Sequence, residues 1–384
     1  MQTIPLVDVR AEYEPLIPRL EAAFREVLDS ERFIRGPHYW AFQEEAAAHL
    51  GVKRTIGVAN GTDALVLALD ALDIGAGDEV ICPAFTFYAT AESIARRGAT
   101  PVFADIDPRT LNLDIEDTAE RVTDRTRAII PVHLFGRPLD VRPLGELGVP
   151  VLEDAAQAFG APEIAQHSTI STFSFYPTKN LFCLGDGGLV ATNDEELADR
   201  VQLLSFHGSR DKSAFDLVGY NSRLDELQAA FLRIFLPELA GWNEGRRTAA
   251  ARYAELGLGD LVELPEDEPG HVYHLFVCRS PERETIRTAL ADAGIASATY
   301  YTTPLHLQPS LRFLGYEAGS LPATEQAAME NFSLPLWPGI PAEAQERVVD
   351  VVRSAVGVAG TRVGSTEPAS SAGAGFAGAE AGKV

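Results

Sequence analysis

Two polar residues follow apolar segments of strand length in the middle of the chain. Asp154 ends the segment VPVLED, and Lys179 follows the segment FSFYPT, one predicted strand later. A third group, Asn60-Gly61-Thr62, lies between the predicted strand RTIGVA and a predicted helix. In an open α/β sheet, ligands bind outside the carboxyl ends of the strands. All three groups are therefore expected at one edge of the sheet.

The three groups have complementary chemistry. The free N–H groups of a helix N-terminus after a glycine turn bind phosphate. A carboxylate holds a cationic group, and a lysine amine condenses with an aldehyde. Pyridoxal phosphate needs a phosphate cup, a partner for its ring nitrogen and an amine for a Schiff base. The combination of Gly61, Thr62, Asp154 and Lys179 therefore favours a pyridoxal phosphate site.

Each group also has a structural interpretation that the sequence leaves open. Thr62 or Asp63 would serve as an ordinary helix cap, and Asp154 would serve as the cap of a helix that follows its strand. A lysine just past a strand end is usually a solvated charge. One motif alone does not separate these interpretations, and the cofactor hypothesis depends on all three occurring together.

The elements that must position these residues repeat a strand–turn–helix pattern through the first two thirds of the chain, as in DEVICPAF, TPVFADI and VPVLEDAAQAFGA. This pattern indicates a mostly parallel sheet covered by helices. Around FSFYPTKN and GGLVATND the pattern becomes hairpin-like, and a long helical segment after LDELQAAF leads into a smaller domain. We expect a large domain over 1–240, a small C-terminal domain over 241–360 and a disordered Gly/Ala/Ser-rich tail over 361–384.

Composition excludes several classes of function. A formal net charge of −23 on 384 residues argues against nucleic acid or an anionic membrane as partner. The chain shows neither a long uncharged apolar run nor a signal-peptide pattern, so a cytoplasmic location is expected. Cys82, Cys183 and Cys278 are far apart, which argues against disulfides and zinc and predicts reduced, buried thiols. No metal site is expected.

Six blocks in order from about residue 4 to residue 355 resemble the DegT/DnrJ/StrS family of nucleotide-sugar aminotransferases. The blocks begin FIRGPHYW, GDEVICPAFTFYAT, VLEDAAQAFGA, FSFYPTKNLFCLGDGG, GYNSRLDELQAAFL and PLHLQPSLRFLGY. The resemblance implies an α/β fold of fold-type I pyridoxal-phosphate-dependent transferases. Its large domain has a mostly parallel, seven-stranded type of sheet, and its smaller C-terminal domain is α+β.

The resemblance also implies roles for individual residues. Lys179 would carry the cofactor and shuttle the proton, while Asp154 would pair with the pyridine nitrogen and keep the ring protonated. Gln157 would lie near the ring hydroxyl, and Phe87 would stack on the ring face. Residues of the phosphate cup would be Gly61, Thr62 and Ser174, joined by Asn221 from a neighbouring subunit, which implies a homodimer with shared active sites.

Three further residues are substrate candidates by the same resemblance: Arg223, Tyr301 and His306. Structural roles stay open for them, because an arginine before LDELQAA also suits a helix salt bridge and a histidine also holds a loop. This chain departs from the usual pattern at Tyr300-Tyr301-Thr302, which affects the expected sugar contacts, and Phe182-Cys183 replaces smaller residues after the lysine block.

The implied reaction is a ping-pong transamination. An amino acid, L-glutamate by expectation, would convert the cofactor to pyridoxamine phosphate, and a dTDP- or UDP-linked 3-keto- or 4-keto-sugar would then receive the amine. Three alternatives stay open. A sugar dehydratase of the same family would have histidine in place of Lys179, a cysteine desulfurase would need a mobile-loop cysteine where Cys183 is a poor candidate, and a regulator or sensor would keep the fold without catalysis.

Overall fold

The computed structural model describes residues 3–362. The α-helices are α1 (Val9–Tyr13), α2 (Ile17–Ser30), α3 (Pro37–Leu50), α4 (Gly61–Ala71), α5 (Ala89–Arg96), α6 (Ile115–Glu120), α7 (Arg142–Gly145), α8 (Glu195–Ser205), α9 (Glu226–Phe235), α10 (Leu239–Glu255), α11 (Arg283–Asp292), α12 (Pro322–Glu330) and α13 (Ala342–Arg362). The strands are β1 (Arg54–Val58), β2 (Glu79–Pro83), β3 (Thr100–Ala104), β4 (Thr126–Ile129), β5 (Leu152–Asp154), β6 (Ile170–Ser174), β7 (Gly188–Thr192), β8 (Phe276–Arg279) and β9 (Asn331–Leu334). Short 3-10 helices lie at Glu14–Leu16, Leu134–Gly136, Leu236–Glu238, Leu258–Asp260, Leu305–Leu307 and Pro309–Leu314.

The first seven strands form a mostly parallel sheet. One set has the order β1-β7-β6-β5 and the other has the order β3-β2-β4. Parallel bridges from Ile129 to Val151 and from Val132 to Asp154 join β4 and its extension to β5. The combined order is β3-β2-β4-β5-β6-β7-β1, in which β7 runs antiparallel to both neighbours. The predicted seven-stranded α/β fold is confirmed, as is the hairpin-like arrangement of β6 and β7.

Helices cover both faces of this sheet because apolar side chains of a strand alternate between the faces. On β7, Val190 packs with α4, α5 and α8, whereas Leu189 and Ala191 pack with α3 and α9. On β6, Phe173 and its neighbour Phe175 join the second cluster, in which Phe159 contacts both rings. The two apolar clusters hold the strands rigidly, so their carboxyl ends form a fixed edge.

Residues after α9 build a separate apolar cluster around the antiparallel pair β8–β9. This cluster combines side chains of α10, α11 and α13 with both strands. Ile4 also packs in this cluster and pairs with Ile295, which the sequence pattern did not indicate. The cluster agrees in position with the proposed C-terminal domain, whose boundary at residue 240 stays a proposal.

The predicted tail at 361–384 lies, from residue 363 onward, outside the described residues.

Two segments that the sequence predicts to be helical have a different conformation in the structure. The segment after Asp154 was expected to continue into a helix, but turns follow instead, with Gly160 at a φ of +88° and Pro162 close behind. That prediction was wrong, because neither residue suits the interior of a helix. The long helix after LDELQAAF is divided into α9 and α10 by a 3-10 helix at Leu236–Glu238, where Pro237 has no N–H to donate.

Among residues 3–362, no helix combines the length and the apolar character needed to cross a membrane.

Candidate active site

Asp154 lies at the carboxyl end of β5, inside the molecule. Its side chain is buried, Oδ2 accepts a hydrogen bond from Thr90 Oγ1 at 2.9 Å, and Oδ1 accepts one from Ala156 N at 3.2 Å. Burial raises the pKa of Asp154 above its ordinary value, against the effects of Thr90, Ala156 and nearby Lys179. A buried carboxylate with neutral partners has capacity left for a cationic ligand group.

Lys179 lies in the turn that follows β6, where its N–H donates to Tyr176 O at 2.8 Å. Its Nζ lies 3.4 Å from Nε2 of His274. Burial lowers the pKa of Lys179 to about 8, and the charge of Asp154 acts in the opposite direction. At pH 7 about a tenth of the molecules therefore carry the uncharged amine, which is the form that attacks an aldehyde and is far rarer for an ordinary lysine.

The turn that carries Lys179 is anchored through the next residue. Asn180 Nδ2 donates to Asn243 Oδ1 at 2.7 Å and to Val272 O at 2.8 Å. Asn243 belongs to α10, and its own Nδ2 donates to Phe159 O at 3.3 Å. Because Asn180 is buried and doubly bonded, the backbone at Lys179 is fixed relative to the sheet and to the 271–275 segment.

Gly61 packs directly against Ser174 at the same edge, and Thr62 follows Gly61 in the first turn of α4. Asn60 caps α4, since its Oδ1 accepts from Asp63 N at 2.8 Å and its carbonyl accepts from Ala64 N at 3.0 Å. The first-turn N–H groups of Gly61 and Thr62 precede these bonds and lack intrahelical partners. A Cβ added to Gly61 would lie 2.7 Å from Ser174 Cβ, so only glycine fits there. The free N–H groups of this first turn and the Ser174 hydroxyl are donors of the kind that a phosphate requires.

Gln157 and Tyr301 lie together beside this edge, a contact that the sequence did not indicate. Gln157 is buried, its Oε1 accepts from Phe135 N at 2.7 Å, and its Nε2 donates to Tyr301 Oη at 3.3 Å. Phe87 is 57% exposed, and its ring centroid lies 6.3 Å from that of Tyr301. An aromatic ring with one open face on this edge is available to a planar ligand.

Asn221 and Arg223 lie in the segment between α8 and α9, where Ser222 between them accepts a hydrogen bond from Ala59 N at 3.1 Å. Asn221 is exposed, and its backbone pairs with Phe206. The guanidinium of Arg223 lies 5.4 Å from the Phe206 ring centroid, and its Nε and Nη1 atoms are buried without a partner in the described part of the chain. Within residues 3–362, Arg223 forms no salt bridge with a helix, so the structure does not support that alternative.

His306 has a clear structural contact. It is buried, and its Nε2 lies 3.1 Å from Glu325 Oε1, while Glu325 also accepts from the backbone N–H of Gly319. The contact holds the 305–320 loop to α12. This arrangement favours the loop-holding interpretation of His306 over a substrate contact, because the nitrogen that faces Glu325 is already used.

Sequence reasoning missed two residues of this site. Thr90, on α5, provides the hydroxyl that bonds Asp154, and His274 contacts Lys179 from a segment 95 residues further along the chain. Thr90 stands in the same FTFYAT block as Phe87, which was a usable signal. His274 stands in HVYHLFV, directly before β8, and its proximity to Lys179 has no local signal.

Other titratable groups do not build a competing site. Over residues 3–362, no group of three His, Cys, Asp or Glu side chains is arranged to hold a metal ion. The three cysteines are free and buried, as predicted, and burial raises the pKa of each thiol. The convergent polar groups at the sheet edge are therefore the candidate active site.

Curated relatives cover almost the whole chain. A "pleiotropic regulatory protein" of Geobacillus stearothermophilus is 45% identical over 362 residues, which is 91% of this chain and 97% of that protein. A UDP-N-acetyl-3-dehydro-alpha-D-glucosamine 3-aminotransferase of Acidithiobacillus ferrooxidans is 44% identical over 361 residues, again 91% and 97%. The chain is thus equally similar to one protein named for regulation and to one named for sugar amination.

Solved structures share the fold at comparable identity. DesV of Streptomyces venezuelae, crystallised in complex with a ketimine intermediate, is 41% identical with a TM-score of 0.89, covering 93% of this chain and 99% of that one. NtdA of Bacillus subtilis, crystallised with bound cofactor PMP, is 32% identical with a TM-score of 0.88, covering 93% and 86%. The family model of the DegT/DnrJ/EryC1/StrS aminotransferases matches residues 17–353, and this chain belongs to that family.

Proposed function

We propose that this protein is a pyridoxal-phosphate-dependent aminotransferase that transfers an amino group from an amino acid, L-glutamate by expectation, to a nucleotide-linked keto-sugar. The observation that carries the proposal is the placement of Lys179 and Asp154 at one edge of the sheet, each with a pKa shifted by burial. Paired, oppositely shifted groups at a strand edge are typical of an active site. Family membership supports the same activity.

The residues present fit pyridoxal phosphate. Gly61 packs so closely on Ser174 that no Cβ fits at position 61, and the free N–H groups of Gly61 and Thr62 with the Ser174 hydroxyl would together form a cradle for the phosphate. Asp154 would hold the ring nitrogen, and Phe87 would cover one face of the ring. When bound, the cofactor supplies an electron-withdrawing ring that stabilises the negative charge left on a carbon after proton removal.

The protein's own groups would then perform the proton transfers. Lys179 Nζ, uncharged in part at neutral pH, is suited to accept the α-proton of the amino acid and later to return a proton to the sugar carbon. Asp154, once next to a cation, would stay ionised and hold that cation in place. Gln157 would orient the Tyr301 hydroxyl toward the same edge.

The substrate class follows from the relatives. The Acidithiobacillus enzyme is named for amination at carbon 3 of a UDP-linked sugar. We propose a UDP- or dTDP-linked 3-keto-hexose as the first substrate to test and a 4-keto-hexose as the second. Arg223, with two buried nitrogen atoms that lack a partner among the described residues, is proposed to contact this anionic substrate.

We propose a homodimer with shared active sites. Asn221 is exposed in the single chain and is proposed to reach the phosphate cradle of a second copy. Large apolar side chains are also exposed on this chain; among them are Phe33, Ile34, Trp40, Phe215, Leu217 and Val218. A second copy of the chain would cover such side chains, whose exposure to water is unfavourable.

Two alternatives lose support from residues of the site. Lys179 stands where a family dehydratase would have histidine. A desulfurase would need a mobile cysteine, whereas Cys183 is fully buried and its thiol pKa lies well above the ordinary range. The regulatory hypothesis keeps one specific observation in its favour, the name of the Geobacillus relative.

Visible absorption of the purified protein with pyridoxal phosphate tests the proposal. L-Glutamate is expected to convert the bound cofactor to its pyridoxamine form, and one keto-sugar from a panel of UDP- and dTDP-linked 3-keto and 4-keto compounds is expected to restore the first spectrum. Binding of the cofactor with no response to any amino acid or sugar would favour the regulatory hypothesis. Failure to bind the cofactor would contradict the proposed function.

A further inference from the structure

His274 is the polar neighbour of Lys179 that the reaction described above does not use. Its Nε2 lies 3.4 Å from Lys179 Nζ, and its Nδ1 is buried without a partner in the described part of the chain. The side chain is 7% exposed. Buried polar groups normally have hydrogen-bond partners, so a buried histidine whose Nε2 lies beside the reactive lysine indicates a role toward that lysine.

The backbone places His274 at this point with little freedom. Val272 N donates to Gly136 O at 2.9 Å, and Val272 O accepts from Asn180 Nδ2 at 2.8 Å. Gly136 approaches so closely that a Cβ there would lie 2.8 Å from His274 N. The segment before β8 is thus fixed on one side to the loop after β4 and on the other to the turn that carries Lys179. The proximity of the ring to Nζ is therefore built into the fold.

We infer that His274 is a positioning residue for Lys179: in the tautomer that carries its proton on Nδ1, its Nε2 accepts a hydrogen bond from Nζ and holds the amine at the sheet edge without adding a charge beside it. The choice of side chain matters. A carboxylate at this place would favour the ammonium form of the lysine, and an apolar side chain would leave the amine without a partner.

The charge state of the ring is consistent with this role. Burial, with Lys179 and Arg246 as further causes, lowers the pKa of His274 well below its ordinary value, so the ring is neutral wherever Lys179 titrates. The groups that face the pair are Asp154 on the side of Lys179 and Arg246 of α10 on the side of His274. Because Nζ donates in both of its protonation states, a neutral acceptor holds it in both.

This inference rests on the proposed function for its purpose, but its first test does not need activity. In cofactor-free protein, the rate at which an acylating reagent modifies Lys179 is followed by peptide mass spectrometry from about pH 6 to pH 10. In His274→Asp, the pH of half-maximal modification is expected to rise by about one unit or more, because an opposite charge nearby stabilises the ammonium. In His274→Asn, which keeps a neutral acceptor, it is expected to stay near the wild-type value.

His271 provides the matched control. It lies in the same segment, is buried, and stacks on Tyr273 with ring centroids 3.8 Å apart, while its Nδ1 accepts from Tyr273 N. His271→Asn is expected to leave the Lys179 profile unchanged. If His274→Asp does not fold, His274→Leu serves instead, and its midpoint is expected to fall below that of His274→Asn because the ammonium loses its acceptor.

The inference would be overturned if the pH dependence of Lys179 modification were the same in wild type and in every folded His274 variant. It would also be overturned if His271→Asn shifted the pH of half-maximal modification as much as the His274 variant does. The second readout is the pH dependence of pyridoxal phosphate capture, seen as visible absorbance, which is expected to shift in parallel with the modification profile. Absence of capture by the wild-type protein would contradict the proposed function and leave the modification result to decide the role of His274.

Discussion

Glu153 and Asp154 are consecutive residues of β5 whose carboxylates have entirely different partners. Glu153 Oε2 accepts from Ala165 N at 2.8 Å and Ser171 Oγ at 3.2 Å, and it lies 3.5 Å from His133 Nε2. Asp154 instead accepts from Thr90. Successive strand residues point to opposite faces, so one carboxylate is tied into the interior structure and the other is left for the site.

Asp154→Asn is expected to lower activity by about 100-fold or more, the size typical of removing one electrostatic partner from an active site. Some cofactor binding should survive, because the cradle at Gly61, Thr62 and Ser174 is unchanged. Steady-state rates with saturating donor and acceptor, together with cofactor absorbance, measure both effects. An unchanged rate would remove Asp154 from its proposed role.

The same variant has a predicted effect on stability. Because the pKa of Asp154 is raised in the fold, its contribution is fully present below the ordinary value of 3.8 and is lost as pH rises through the raised value. Cofactor-free Asp154→Asn should therefore unfold at a higher temperature than wild type at about pH 8, with a smaller difference at about pH 4. A variant that melts below wild type at both values would contradict the prediction.

Lys179→Ala is expected to lower turnover by about 10²–10⁴-fold or more, the range for loss of a positioned acid–base group. The fold should survive, because Lys179 is half-buried and its neighbours Asn180 and Asn243 keep their hydrogen bond. The exposed Lys53 gives the control variant Lys53→Ala, which should retain full activity. Full activity in Lys179→Ala, measured with saturating glutamate and keto-sugar, would refute the assignment.

Gly61→Ala is expected to weaken pyridoxal phosphate binding by about tenfold or more, because the added Cβ would lie 2.7 Å from Ser174 Cβ and overpacking typically costs about 1–3 kcal/mol. Cofactor titration followed by absorbance measures the change. Gly241→Ala on α10 is the control, since nothing lies within 4 Å of the Cβ that it would add. Equal affinities in the two variants would argue against the cradle.

Mixing two inactive variants tests the shared site. Asn221→Ala and Lys179→Ala homodimers are each expected to lack a complete site, whereas a hybrid has one site with both native residues. After dissociation and reassociation in equal amounts, about a quarter of wild-type activity should return if subunits pair at random as a closed dimer. No recovery, with hybrid formation verified by mass spectrometry, would contradict the exchange of Asn221 between subunits.

The local pattern of the sequence predicted many of the elements around the site. Alternating apolar residues indicated the strands, and the position of polar residues just after them placed Lys179, Asp154 and Gly61 at one sheet edge. The prediction of a helix after Asp154 was wrong. Gly160 has a positive φ, and the Asp154 side chain accepts from the N–H of Ala156, and both features favour turns. Helix α4 begins at Gly61 because Asn60 caps it, whereas the sequence alone suggested Thr62 or Asp63 as the cap.

The sequence by itself determined the apolar periodicity of the strands, the glycine turn before α4 and the single lysine after β6, because each depends on residues close together in the chain. The tertiary structure decided which of Glu153 and Asp154 faces the site, and it brought His274 to Lys179 and Tyr301 to Gln157 across 95 and 144 residues. These contacts depend on how the segments around 272–275 and 300–301 dock on the sheet edge. Docking of that kind is set by the packing and hydrogen bonds of whole elements, and no local spacing in the sequence specifies it.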